Sequence, residues 1–89
     1  MPEVGREAPK VDREGTGSSY VQSVRFLKED FSEEQAREWC KSNDYYVDGL
    51  DITTNEYHFR QYDPNYSEYR YFKQDDKDIK GIYYIIGTK

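Results

Sequence analysis

The residues able to do chemistry in this chain are few and far apart. His58 is the single histidine and Cys40 the single cysteine. A tetrahedral zinc site or a nucleophile–base relay needs several such groups converging, and one of each type supplies neither. His58 lies between Tyr57 and Phe59 in an extended-looking run, which reads as a partly packed structural histidine. Cys40 falls on the apolar stripe of a short helical segment, where cysteine acts as a small hydrophobe rather than a nucleophile. Asp75, Asp76 and Asp78 around Lys77 bring carboxylates together. They lack the odd-position spacing and the distal bidentate glutamate of a calcium loop, so they read as a solvated acidic turn. The sequence holds no glycine-rich phosphate loop and no evident Ser-His-Asp set. It therefore predicts a non-enzymatic protein with no catalytic residue, metal or cofactor.

Two patterns bear on binding instead. Residues 30–55 contain Asp30, Glu33, Glu34, Glu38, Asp44, Asp48 and Asp51 against only Arg37 and Lys41. Residues 1–29 and 56–89 are each balanced, so the whole net charge of −5 belongs to that one stretch. A solvated helix face with dipole-matched acids accounts for part of this. The sharper reading is an acidic docking surface for a basic partner, with Glu33, Glu34, Glu38, Asp48 and Asp51 as the candidate contacts. A further version is an acidic inhibitor that imitates nucleic acid charge toward a host nucleic-acid-binding protein. Seven acids along one edge are thin support for that.

The second pattern is aromatic. Ten tyrosines and four phenylalanines allow a sheet face carrying Tyr57, Phe59, Tyr69, Tyr71 and Tyr83 or Tyr84, with Arg60, Arg70 and Lys73 supplying charge. Such a face could stack single-stranded bases. The negative net charge argues against it, as does the ordinary use of such rings under a helix or along a sheet edge.

These residues depend on a small set of elements. Tyr20 to Lys28 alternates Val24 and Phe26 with Ser23 and Arg25, the period of a strand. Ser32 followed by Gln35 matches a capping box, and Phe31 before the cap can close as a hydrophobic staple over Ala36. Ala36, Trp39 and Cys40 form a stripe at i, i+3 and i+4, with Trp39 as the expected anchor. Asn43 is the expected left-handed stop. Tyr45 to Ile52 then reads as a strand bent at Gly49, Thr53 to Glu56 as a turn, and Tyr57 to Asp63 as the returning strand, ended by Pro64. Asn65 to Asp78 is a loop or ragged edge strand. Gly81 to Gly87, apolar on both faces, is a strand in the sheet interior.

The prediction is a small α+β domain over residues 20–89. One helix lies on an antiparallel sheet of three to five strands, in the order β-α-β-β-(β)-β. Residues 1–19, with Pro2, Pro9, Gly5, Gly15 and Gly17 and few aliphatics, read as a disordered leader. With 89 residues, 35% of them apolar and 17% aromatic, the core must combine a few aliphatics with many rings, and stability should be marginal. One cysteine excludes an intramolecular disulfide and favours a reducing compartment. No run reaches the roughly 18 apolar residues of a membrane span, and the first residues have no apolar signal region. The expectation is a cytoplasmic monomer that avoids membranes and nucleic acid.

The stretch FSEEQAREWCKSNDYYVDGLDITTNEYHFRQYDP also resembles a small domain of tailed-phage and prophage proteins, found alone or beside prohead-protease and head-morphogenesis regions. The similarity rests on Ser32, Gln35, Ala36 and Trp39 in the helix, on His58, Phe59, Arg60, Gln61, Asp63 and Pro64 in the returning strand, and on Gly81, Ile82 and Gly87 at the end. It spans about two thirds of the chain. His58 stands where that pattern has arginine. The resemblance implies a viral or prophage setting, in the host cytoplasm or the virion, and a role in interaction or assembly with a phage structural protein or a host protein. It implies no activity and brings no catalytic residue.

Overall fold

Alternation in the first strand sets up everything that follows. In the computed structural model, which describes residues 4–7 and 19–89, β1 (Tyr20–Leu27) directs Val24 and Phe26 to one side and Ser23 and Arg25 to the other. The chain continues as α1 (Glu33–Ser42), β2 (Leu50–Ile52), β3 (Glu56–Arg60), β4 (Arg70–Asp75) and β5 (Ile82–Thr88). The five strands form one antiparallel sheet in the order β2-β3-β1-β5-β4. The fold is α+β, one helix on one face of that sheet, as the sequence predicts.

Register determines which side chains share a face. Val24 lies opposite Phe59 and Tyr84, and Phe26 opposite Tyr57 and Ile82. These residues face the helix. The buried core is Val24, Phe26, Phe59 and Ile82 from the sheet with Ala36 and Cys40 from the helix. Burial pushes the Cys40 thiol up to about 12, so it stays protonated and apolar.

The helix begins as its residues dictate. Ser32 accepts from the Gln35 amide at 3.2 Å, and the Gln35 side chain accepts from the Ser32 amide at 2.9 Å, closing the capping box. Its end differs in one respect from expectation. Asn43 is the C-cap with φ −112°, and the left-handed residue is Asp44, at φ 63°. The Tyr45 amide donates to the Cys40 carbonyl at 2.8 Å and the Asp44 amide to Lys41 at 3.4 Å, the paired bonds of a Schellman ending.

Two further expectations are corrected. The strand over Tyr45 to Ile52 shrinks to Leu50–Ile52, because the chain at Tyr46 bonds to the Gln61 side chain instead of a neighbouring strand. Trp39 is not the central anchor. It is half-buried, stacked on Tyr45 at 5.8 Å and edge-on to Phe26 at 5.7 Å. Phe26 is fully buried and meets Phe31, Trp39 and Phe59 edge-to-face, so it is the hub. Most of the expected disordered leader, residues 1–19, lies outside the described residues. In its described part, Val4–Glu7, the residues Val4, Gly5 and Arg6 are hydrogen-bonded to the body of the domain.

Two stability outcomes follow from this packing. Phe26→Ala should cost about 3–5 kcal/mol and Trp39→Ala distinctly less, measured by denaturant unfolding; the reverse order would return the anchor to Trp39. Asp44→Gly removes a side chain from a left-handed position and should raise stability by about 0.5–1 kcal/mol. A lower midpoint for Asp44→Gly would mean the Asp44 side chain contributes more than its backbone strain costs.

Candidate functional site

The densest polar constellation among the described residues is a cleft where the segment after the helix meets the end of β3. Gln61 builds it. This residue is only 3% exposed, and its side chain accepts from the Tyr46 amide at 2.8 Å while donating to the carbonyls of Tyr46 (2.9 Å) and Phe59 (3.1 Å). That clamp fixes the Tyr46 backbone beside the strand end. The amide of Arg60 donates to the Gly49 carbonyl at 3.0 Å, holding the other side. Gly49 must be glycine here, since a Cβ would come within 2.6 Å of the Arg60 carbonyl oxygen.

Arg6 occupies this cleft. Its guanidinium makes a bidentate pair with Asp48, at 2.9 and 2.8 Å, and its Nε–H donates to the Gln61 carbonyl at 2.7 Å. The same group lies 3.7 Å from the centre of the Tyr46 ring. A planar cation held at its edge by a carboxylate and at its face by an aromatic ring is recognition that lysine cannot reproduce. The bond from Arg6 holds the Asp48 carboxyl below its usual range, and Asp48 raises Arg6 in turn. The backbone is read as well. The Val4 and Gly5 amides donate to the two oxygens of the Asp63 carboxylate at 3.0 and 2.9 Å, and the Asp63 amide donates to the Arg6 carbonyl at 2.9 Å.

The sheet face away from the helix is also polar. Tyr83 donates to Glu56 Oε1 at 2.6 Å, and His58 Nε2 meets the same oxygen at 2.8 Å. Because that oxygen belongs to a carboxylate, the imidazole bonds to it as a donor. Burial pushes Glu56 up, but the bonds from Tyr83 and His58 outweigh it, leaving the carboxyl below its ordinary value. His58 titrates below its ordinary value, chiefly through burial and, after the support from Glu56, the nearby charge of Arg25. Its bond to Glu56 ties His58 to Tyr83 through the shared oxygen.

The expected binding residues do not form one surface. Glu34 and Glu38 stand exposed on the outer helix face, and Glu33 pairs with Arg37 one turn along at 3.1 Å. Asp48 belongs to the Arg6 cleft. Asp51 lies opposite His58, on the sheet face away from the helix. The candidate stacking face is divided as well. Tyr57 and Phe59 point under the helix, and Phe59 is fully buried. Arg60, Tyr71 and Tyr83 lie on the opposite face. Tyr69 is only 6% exposed and packs edge-on against Tyr20 at 5.0 Å. The cause is parity: Tyr57 and Phe59 are two residues apart and must share the face that the core has claimed. In the acidic turn, Asp76 accepts from the Asp78 and Ile79 amides and from Tyr84, so its carboxylate is spent on the fold. Among the described residues no group of three or more His, Cys, Asp or Glu side chains is placed to hold a metal ion, and no helix is long and apolar enough to cross a membrane.

Sequence reasoning missed Arg6, Tyr46, Gln61 and Asp63 as a set. The only local signals were a Gly-Arg pair in a polar leader and the glycine that suggested a bend at 49. No family model matches this chain, and no curated protein or solved structure matches it.

The pH dependence of stability follows from these groups. Unfolded histidine takes up its proton near pH ~6.5, above folded His58, so the stability contributed by the neutral ring is present above that pH and lost on acidification. Glu56, Asp48 and Asp76 are held low, so their contribution is lost only as pH falls below about 4.5. The unfolding free energy should therefore begin to decline below about pH 6.5, and His58→Gln should delay that onset to about 4.5. Denaturant melts between neutral and acidic pH measure this; an unchanged early limb in His58→Gln would assign it to another group.

Proposed function

We propose that this domain is a non-catalytic protein-interaction or assembly module that docks a basic partner through the outer face of α1, in the phage or prophage setting implied by the resemblance of its helix and returning strand. The observation that carries the reading is the condition of Glu34 and Glu38. Both are exposed, and both lie in the stretch that holds the entire net charge of −5. Other acids of that stretch are engaged within the domain: Glu33 by Arg37 and Asp48 by Arg6. Two carboxylates one helical turn apart, without an ion pair among the described residues, make a cationic surface the natural complement and steer its approach. The partner is a phage structural protein or a host protein, met in the host cytoplasm or the virion. Single-stranded nucleic acid is the weaker reading, since its proposed rings are divided between two sheet faces.

The test is comparative capture with the purified full chain as bait. A specific partner retained by the parent should be lost, or weakened about tenfold, by the double substitution Glu34→Lys and Glu38→Lys, and its retention should decline with salt. Equal capture by parent and double variant would dismiss the helix face. Saturable, steeply salt-dependent quenching of fluorescence by oligonucleotides would replace this reading with the nucleic acid one.

A further inference from the structure

The Arg6 cleft has features that a simple tie-down of the chain does not need. Its walls are fixed by bonds within the body of the domain: the Gln61 side chain to Tyr46 and Phe59, and the Arg60 amide to Gly49. None of these bonds involves Val4–Arg6, so the backbone frame of the cleft is built without that segment. The cleft also reads a specific chemistry. It engages one guanidinium on an edge and a face, and it reads the two amides immediately before it through a single carboxylate. Gly5 lets both parts meet: its φ of 76° sets the direction of Arg6 relative to the Val4 and Gly5 amides that bond Asp63, a conformation costly for residues with a side chain.

We propose that this cleft is a recognition site for a glycine–arginine turn in an extended peptide, that Val4–Arg6 occupies it intramolecularly, and that an arginine-bearing segment of a partner protein binds by displacing it. The contact with Asp48 is open to an incoming ligand, because the Asp48 side chain is 61% exposed even with Arg6 bound. Beyond Tyr46 the surface continues into a recess of about 200 Å³ beside Tyr45 and Tyr62, which gives an incoming segment contacts beyond the arginine. A tethered occupant competes at an effective concentration on the order of millimolar, so a partner must offer either this added contact or high local concentration. The site uses Asp48 and Asp63 and none of the helix acids, so it stands or falls separately from docking on the outer face of α1.

The experiment titrates a fluorescein-labelled peptide of sequence MPEVGREA, the first eight residues of this chain, into the full-length protein and reads anisotropy. In the parent the cleft is occupied and binding should be weak. Full-length Arg6→Ala should bind the peptide about tenfold or more tightly than the parent, because the internal competitor has gone. Replacing the peptide arginine by lysine, or adding Asp48→Asn to the Arg6→Ala chain, should each cost about tenfold by removing the bidentate pair. Gly5→Val opens the cleft by a different route, by misfitting the left-handed turn, and should give the same gain, which keeps the test decisive if Arg6→Ala folds poorly by circular dichroism. The proposal is overturned by folded Arg6→Ala or Gly5→Val chains that show no saturable binding up to about 1 mM. Peptide affinities indifferent to arginine against lysine, or to Asp48→Asn, also overturn it, since they would reduce the effect to net charge.

Discussion

The arrangement of this domain depends most on the buried amide of Gln61. Where β3 ends, the chain emerging from the helix cannot pair with it as a strand, and the Tyr46 backbone would be left beside the sheet without a partner. Gln61 supplies an acceptor for the Tyr46 amide and a donor for its carbonyl from a single side chain. It can do so because a primary amide carries both functions at one end. An apolar residue of similar size would leave those groups to pair with water or not at all, and a buried unpaired group costs about 1–3 kcal/mol. The Tyr46 ring, the seat of Arg6 and the close approach at Gly49 all follow from that clamp.

Much of the fold was legible because its signals are local. The capping box is fixed by two residues three apart, and the alternation of Val24 and Phe26 with Ser23 and Arg25 names the buried face of β1 without reference to the rest of the chain. The cleft was not legible because nothing local specifies it. Arg6 and Asp48 are distant in sequence, and the leader's composition gives no sign that one of its arginines is bound. Phe26 was undervalued for a similar reason: its rank comes from three rings converging on it from α1, β3 and the turn before the helix, whereas Trp39 stands out by size alone. The stacking face failed on a point the sequence did contain, since Tyr57 and Phe59 share a parity with the core.

The tyrosine content is a way of building a small domain from few aliphatics. The ring of Tyr20 is surrounded edge-on by Tyr62, Tyr69 and Tyr71, and its hydroxyl meets that of Tyr71 at 2.6 Å. Tyr83 and Tyr84 donate to Glu56 and Asp76. Burial first, and then these bonds, raise the hydroxyls of Tyr20, Tyr83 and Tyr84 above their ordinary value, so they remain protonated and able to donate through the neutral range. Each such ring buries apolar area while its hydroxyl finds a partner, and this suits a chain in which one short helix covers only one sheet face.

The acid imbalance acquires a structure of its own. Along the sequence it is a single run between residues 30 and 55; in space it divides into an outer helix face, a cleft and a contribution to the far sheet face. These differ physically more than their shared sign suggests. Exposed carboxylates on a helix attract any cation at a range set by the Debye length, about 8–10 Å at ordinary salt, and confer little geometric choice. The cleft sets one carboxylate against a ring and a carbonyl, so that only a planar, multiply donating cation satisfies all three. Salt weakens the first mode far more than the second. In the two readings proposed above, the helix face selects for charge and the cleft for arginine, and the two selections are independent because they use different carboxylates.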